Sequence, residues 1–125
     1  MMQKLLLIGF AGALGTLARY GLSGFVQRRA GVTLPWGTLV VNIIGAFVFG
    51  LIWSLVEKRL VISVETRVIL LSGFLGGFTT FSSFMFETGS LISEAQWSLA
   101  TLNLGAHMVL GLGAMFLGLA AGRAI

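Results

Sequence analysis

The chain has 125 residues, 57% of them hydrophobic and only 10% charged, with 18 glycines, one proline and no cysteine. This apolar fraction, with a mean hydropathy of +1.00, lies outside the range of soluble domains and points to the membrane, and the absence of cysteine removes disulfides, thiolate catalysis and thiolate metal sites together. Eight Lys and Arg against four Glu would hint at nucleic acid in a soluble protein, but charges this sparse, set between apolar runs, are membrane-surface flanks, and no nucleic-acid partner is expected.

In chain order, the first apolar run covers about residues 5–26, after Lys4. A basic start before Leu-Leu-Leu-Ile also fits a secretory signal peptide, but the run continues past any plausible cleavage site and three more runs follow. Gly9, Gly12 and Gly15 give this segment a small-residue stripe for close helix packing. A polar connector with Arg28, Arg29 and Gly31 leads to Pro35, which opens the second run at about residues 36–56; a proline in the first helical turn costs little. Trp36 falls at the expected interface, Asn42 lies inside the run, and Glu57, Lys58 and Arg59 stop it.

The third span is expected at about residues 67–87, followed by a connector from Ser90 to Gln96. The fourth runs from Trp97 at an interface to about residue 122, ahead of Arg123. Its Ala114, Gly118 and Gly122 form a small-xxx-small pattern that admits another helix. Each run is near the ~20 residues that a bilayer core requires. The expected fold is therefore an all-α integral membrane protein, a single domain over residues 1–125 with four transmembrane helices and both termini on one side. Lys4, Lys58, Arg59, Arg67 and Arg123 flank the terminal side, against Arg28 and Arg29, with Arg19 nearby, on the other. That bias specifies orientation weakly, and dual insertion is compatible with it. A chain this short is small for a self-contained pore or transporter, so oligomerisation is expected.

The third span departs from an ordinary one. Gly76-Gly77-Phe78-Thr79-Thr80-Phe81-Ser82-Ser83-Phe84 places two glycines and four hydroxyl residues inside an apolar run, a poor recipe for an unbroken helix. In lipid, a broken backbone is tolerated only where it is buried in protein or lines a watery cavity. Freed carbonyls there suit a hard cation. Phe81 and Phe84 share one helical face, and a ring's positive edge can meet an anion while Ser and Thr hydroxyls donate to it. Phenylalanines facing lipid and hydroxyls bonding their own helix account for single residues here, but less well for the combination. The stretch reads as an ion site with few formal charges, suited to a small anion.

One histidine, no cysteine, no aspartate and four scattered glutamates do not assemble a hydrolytic or redox centre, so no enzyme is expected. Glu57, Glu65, Glu87 and Glu94 fall at span ends or in connectors, Glu87 closest to a span. This argues against the rival at this size, a small multidrug or solute exporter, which keeps an ionisable carboxylate within the membrane. Asn42 has two readings that stay open, interhelical hydrogen-bond glue or an amide donor facing a permeating anion. Asn103 and His107 share a face of the fourth span, where packing is the favoured reading. Arg19, near the far end of the first span, can snorkel to the interface and still offer a positive charge at a pore mouth.

The Gly76–Phe84 stretch, together with Gly37-Thr38-Leu39-Val40-Val41-Asn42-Ile43-Ile44-Gly45 and the Gly12–Tyr20 segment carrying Arg19, resembles the bacterial Fluc/CrcB fluoride channels over essentially the whole chain. The resemblance implies an antiparallel, dual-topology homodimer in the bacterial inner membrane, with two fluoride pores and a third helix broken at mid-membrane. It implies that the backbone carbonyls of Gly76 and Thr79 hold a structural sodium ion at the dimer centre. Phe81 and Phe84 would turn ring edges to fluoride, Asn42 would face the pore, and Arg19 would stand at the vestibule. Thr38, Thr80 and Ser82 would line the ion track. The fourth-helix contribution, including any role of Asn103 and His107, stays unassigned. Ser83 stands where many members have threonine, which keeps the hydroxyl. Fluoride trapped by dissociation of its neutral acid in the cytoplasm would leave passively through such a pore.

Overall fold

The computed structural model describes residues 1–59 and 62–125, the side chains of residues 58 and 59 excepted. The flanking charges Lys58 and Arg59 thus lie outside the described side chains. The described residues are helical or in turns, without a strand. Helix α1 spans Met2–Ala30 and α2 spans Trp36–Arg59. The third path comprises α3 (Val64–Val68), a π-helical stretch (Ile69–Phe74), α4 (Leu75–Phe78) and α5 (Phe81–Ser93), and α6 (Trp97–Ala124) completes the chain. Four of these paths, Met2–Ala30, Trp36–Glu57, Val64–Ser93 and Trp97–Ala124, are long and apolar enough to cross a membrane.

The helices run past the apolar runs because their ends are satisfied locally. Arg28 and Arg29 occupy the last turn of α1, where cations complement the carbonyl end. Gly31 follows with φ of +97°, a conformation that glycine adopts at little cost and a residue with a side chain does not. The Gln27 side chain staples the connector. Its Nε2 donates to the carbonyls of Gly31 and Leu34, and its Oε1 accepts from the Gly37 N–H at 3.0 Å. Ser90, expected in a connector, lies inside α5. It donates its hydroxyl to the Phe86 carbonyl at 3.0 Å, and Ser93 does the same to Gly89 at 2.9 Å. Hydroxyls that bond their own helix need no water, so α5 continues beyond the apolar residues.

Small residues set the packing. A Cβ on Gly118 would fall on the Phe47 carbonyl, one on Gly50 on the Met115 carbonyl, and one on Gly122 on the Ser54 hydroxyl, so α2 and α6 meet backbone to backbone. Across the molecule, Gly15 of α1 abuts the Phe74 carbonyl and Gly77 of α4 abuts the Gly12 carbonyl. Gly9, the remaining member of the α1 stripe, faces open space. Without a hydrophobic drive between helices in lipid, such close approach supplies the dispersion contacts that hold spans together. Between the two seams lies a buried cluster of Val41, Leu71, Leu75 and Phe78. Leu5, Leu6, Phe10, Phe116 and Leu117 point outward, as lipid-facing residues do.

Gly118→Ala should destabilise the protein by about 1–3 kcal/mol through overpacking, seen as a lower midpoint of tryptophan-monitored thermal unfolding in detergent. Gly113→Ala, whose Cβ meets nothing within 4 Å, should leave the midpoint unchanged or raise it. Equal losses in both would contradict the seam.

Candidate functional site

Helical backbone stops between α4 and α5. Thr79 (φ −89°, ψ 155°) and Thr80 (φ −148°, ψ 114°) are both extended. Thr79 stays tied to the preceding turn, its N–H and its hydroxyl both reaching the Leu75 carbonyl at 2.9 Å. Thr80 caps α5, its Oγ1 accepting from the Ser83 N–H at 3.2 Å. Such an opening exposes peptide groups that helix would have paired, and side chains from other spans take them up. The Asn42 amide lies against the Thr80 peptide groups as a neighbouring strand would: Thr80 N–H donates to Asn42 Oδ1 at 2.9 Å, and Asn42 Nδ2 donates to the Thr80 carbonyl at 3.1 Å. Arg19 Nε donates to the Gly77 carbonyl at 2.9 Å. Arg19 is thus bound to the start of the opening, within hydrogen-bond reach of the glycine pair.

A polar relay runs on from Asn42 into α6. Its Nδ2 lies 3.2 Å from His107 Nε2, and His107 Nδ1 lies 3.1 Å from the Asn103 carbonyl. A carbonyl can only accept, so Nδ1 carries the proton and Nε2 presents a lone pair to Asn42. Asn103, 1% exposed, donates from Nδ2 to Thr88 Oγ1 at 2.9 Å, and Thr88 donates to the Phe84 carbonyl at 2.8 Å. The His107 ring stacks on Phe84 with centroids 3.8 Å apart and planes 21° from parallel. Phe81 meets Phe84 edge to face at 6.0 Å and 77°. The two phenylalanines adjoin, as their spacing implies, yet their settings differ: Phe84 is 3% exposed and Phe81 70%.

Asn42, Gly76, Thr79, Thr80, Phe81, Phe84 and His107 together line an open groove of about 470 Å³, completed by apolar residues of α2, the third path and α6. Apart from the His107 imidazole, its walls hold no ionisable side chain. Three sequence-predicted residues lie outside it. Ser82 is exposed beside Thr80, with Oγ 3.3 Å from Thr80 Oγ1. Arg19 reaches the opening from α1. Thr38, one turn before Asn42, donates to Glu87 Oε1 at 2.8 Å.

Glu87 corrects a sequence expectation. It is not at a span end but inside α5, half-buried, with Oε2 sequestered and unpartnered. Hydroxyl back-bonding carries the helix on past it, a feature invisible to hydropathy. Thr88, Asn103 and His107 are the groups that sequence reasoning did not assign. Their signals were present, since Thr88 is four residues after Phe84 and Asn103 precedes His107 by four, each a same-face spacing.

Four apolar spans enclosing an extended, side-chain-satisfied segment define a multi-pass helical membrane protein with a low-charge polar site. The chain belongs to the CrcB family: the family described as "CrcB-like protein, Camphor Resistance (CrcB)" matches residues 6–119. It is 50% identical to a protein of Solidesulfovibrio magneticus over the full length of both chains. It is 48% identical to one of Nitratidesulfovibrio vulgaris over 99% of this chain and 100% of that one, and 52% identical to one of Nitrosococcus oceani over 94% of each. All three relatives are named fluoride-specific ion channel FluC.

Asn42→Ala strands the N–H and the carbonyl of Thr80, which are part-buried, at a cost below the roughly 1–3 kcal/mol of a fully buried group left unpaired. Its thermal midpoint in detergent should fall well below that of Ser82→Ala, which removes an exposed hydroxyl. Equal midpoints would show that the Asn42–Thr80 pair contributes nothing to stability.

Proposed function

We propose that the chain is a fluoride-selective passive channel of the bacterial inner membrane, letting cytoplasmic fluoride leave down its electrochemical gradient. The observation that carries this is the groove at Thr79–Phe84, uncharged apart from one imidazole and bordered by a phenylalanine pair and an amide, in a chain about half identical, end to end, to proteins named fluoride-specific ion channels. Fluoride is small and strongly hydrated. A pore must replace its water with fixed donors at short range, and narrow spacing then excludes chloride. In this proposal the positive edges of Phe81 and Phe84 and the Asn42 amide meet the ion. The hydroxyl of Thr80 lines its track, those of Thr38 and Ser82 would continue it beyond the groove, and Arg19, expected at a vestibule, adds positive potential from its place at the Gly77 carbonyl. Nothing in such a mechanism requires ATP or a proton partner.

The proposal includes the assembly. A second copy inserted antiparallel would close the groove, giving two pores per homodimer with the third-helix openings of both copies meeting at the centre in mid-membrane. Gly76 and Thr79, which border the groove, would there hold one sodium ion through backbone oxygens, the hard ligands such an ion takes. Glu87 gives the alternative, a small solute or multidrug exporter, one specific observation: a carboxylate within a span, as proton coupling needs.

Fluoride-loaded proteoliposomes separate the two. Channel efflux should be fluoride-specific and limited by charge balance until a potassium ionophore is added. Equal chloride efflux, no efflux, or efflux that demands a proton gradient would overturn the channel. Phe81→Ile and Phe84→Ile should each suppress fluoride flux strongly while the dimer persists on size exclusion, and normal flux in both would remove the rings from the pathway. Crystals grown with a heavier monovalent cation should show an anomalous peak on the dimer axis near Gly76 and Thr79. An empty axis would dismiss the sodium site.

A further inference from the structure

If Asn42 meets the permeating ion, as proposed above, it must have an N–H to offer, and in this structure both are taken. One belongs to the reciprocal pair with Thr80, the other points to His107 Nε2. The amide cannot turn over to change this, because the Thr80 N–H requires Oδ1 on its own side. The two N–H bonds are unequal. Giving up Thr80 would break a closed two-bond pair on a segment that has no helical partners. The bond to His107 is single, and at 3.2 Å the longest of the set. His107 itself is anchored without it, by Nδ1–H to Asn103 and by its stack on Phe84.

We propose that His107 Nε2 is a surrogate acceptor: it holds the free N–H of Asn42 between ions, and each arriving fluoride displaces it. His107 Nε2 lies 3.2 Å from that N–H on a ring 9% exposed, so between ions it is the acceptor at hand, and an amide left without one is costly. A surrogate removes that cost from the ion-free state and so weakens ion binding by the worth of one hydrogen bond. A conducting site needs this, since an ion held too tightly does not leave. His107 is thus a positioning residue acting through Asn42, and its imidazole plane is held in register by Phe84 while the bond exchanges.

The chain contains one histidine, which makes a direct reading feasible. His107→Phe keeps a ring to stack on Phe84 and deletes the lone pair. In proteoliposomes its half-saturating fluoride concentration should fall roughly fivefold, the worth of about one net hydrogen bond, and its maximal flux should fall because exit slows. His107→Gln, which restores an acceptor without the ring, should return half-saturation toward the wild-type value. A half-saturation unchanged or raised in His107→Phe overturns the proposal. Should that variant not fold, ¹⁵N-histidine solid-state NMR of the wild-type protein in bilayers decides. Fluoride should move Nε2 toward the shift of an unbonded imine nitrogen and leave Nδ1 in place, and no movement of Nε2 overturns the proposal. Wild-type efflux with either negative result sinks the surrogate alone, whereas no wild-type efflux sinks the channel assignment together with it.

Discussion

A peptide group opened inside a span finds no partner in lipid, and each one left bare costs as much as a lost buried hydrogen bond. The exchange of two hydrogen bonds between Asn42 and Thr80 meets that constraint, and the remainder of the site is arranged around it. An asparagine suits the task because a primary amide carries a donor and an acceptor side by side, as a backbone peptide does. No hydroxyl or carboxylate supplies both at that separation. Arg19 performs the complementary service at the Gly77 carbonyl with a charged donor. The opening is therefore held from α1 on one side and from α2 on the other.

From that fixed point the network extends outward and couples the aromatic rings to the backbone. Phe84 is held by its carbonyl through Thr88 and Asn103, and by its ring face against His107. His107 in turn touches Asn42, so a displacement of the fourth span would disturb the ring and the amide together. Phe81 has only Phe84 as a described ring partner and presents most of its surface outward. The pair thus consists of one buried ring and one exposed beside the groove.

Packing and polarity are divided cleanly among the faces of the helices. Glycines bring α2 against α6 and α1 against the third path, and the polar groups lie where those seams leave a gap. Close backbone approach makes the frame stiff. In the channel proposed above, stiffness matters because a small, strongly hydrated ion would be distinguished by donors that cannot follow a larger one.

The four spans follow from composition alone, because twenty apolar residues have no other stable place to go. The glycine pattern in the fourth span, and two of the three glycines in the first, identify surfaces that another helix can approach, and helices lie there. The Thr-Thr pair likewise marks where the third span leaves helix, since a β-branched hydroxyl residue does not favour that state, whereas the Gly-Gly pair, expected to break it, stays helical in α4. What sequence could not supply was the choice of partners. Asn42 had two readings of equal standing, and only its position beside Thr80, 38 residues away, shows it bonded to the opened backbone. Glu87 looked like the end of a span until its neighbours' hydroxyls were seen to extend the helix. Phe81 and Phe84 share a face by spacing, but which of them α6 covers depends on how the helices are rotated about their axes. Hydropathy and local propensity are properties of single segments, whereas these pairings arise from the rotation and depth of one helix against another, and only the folded molecule sets those.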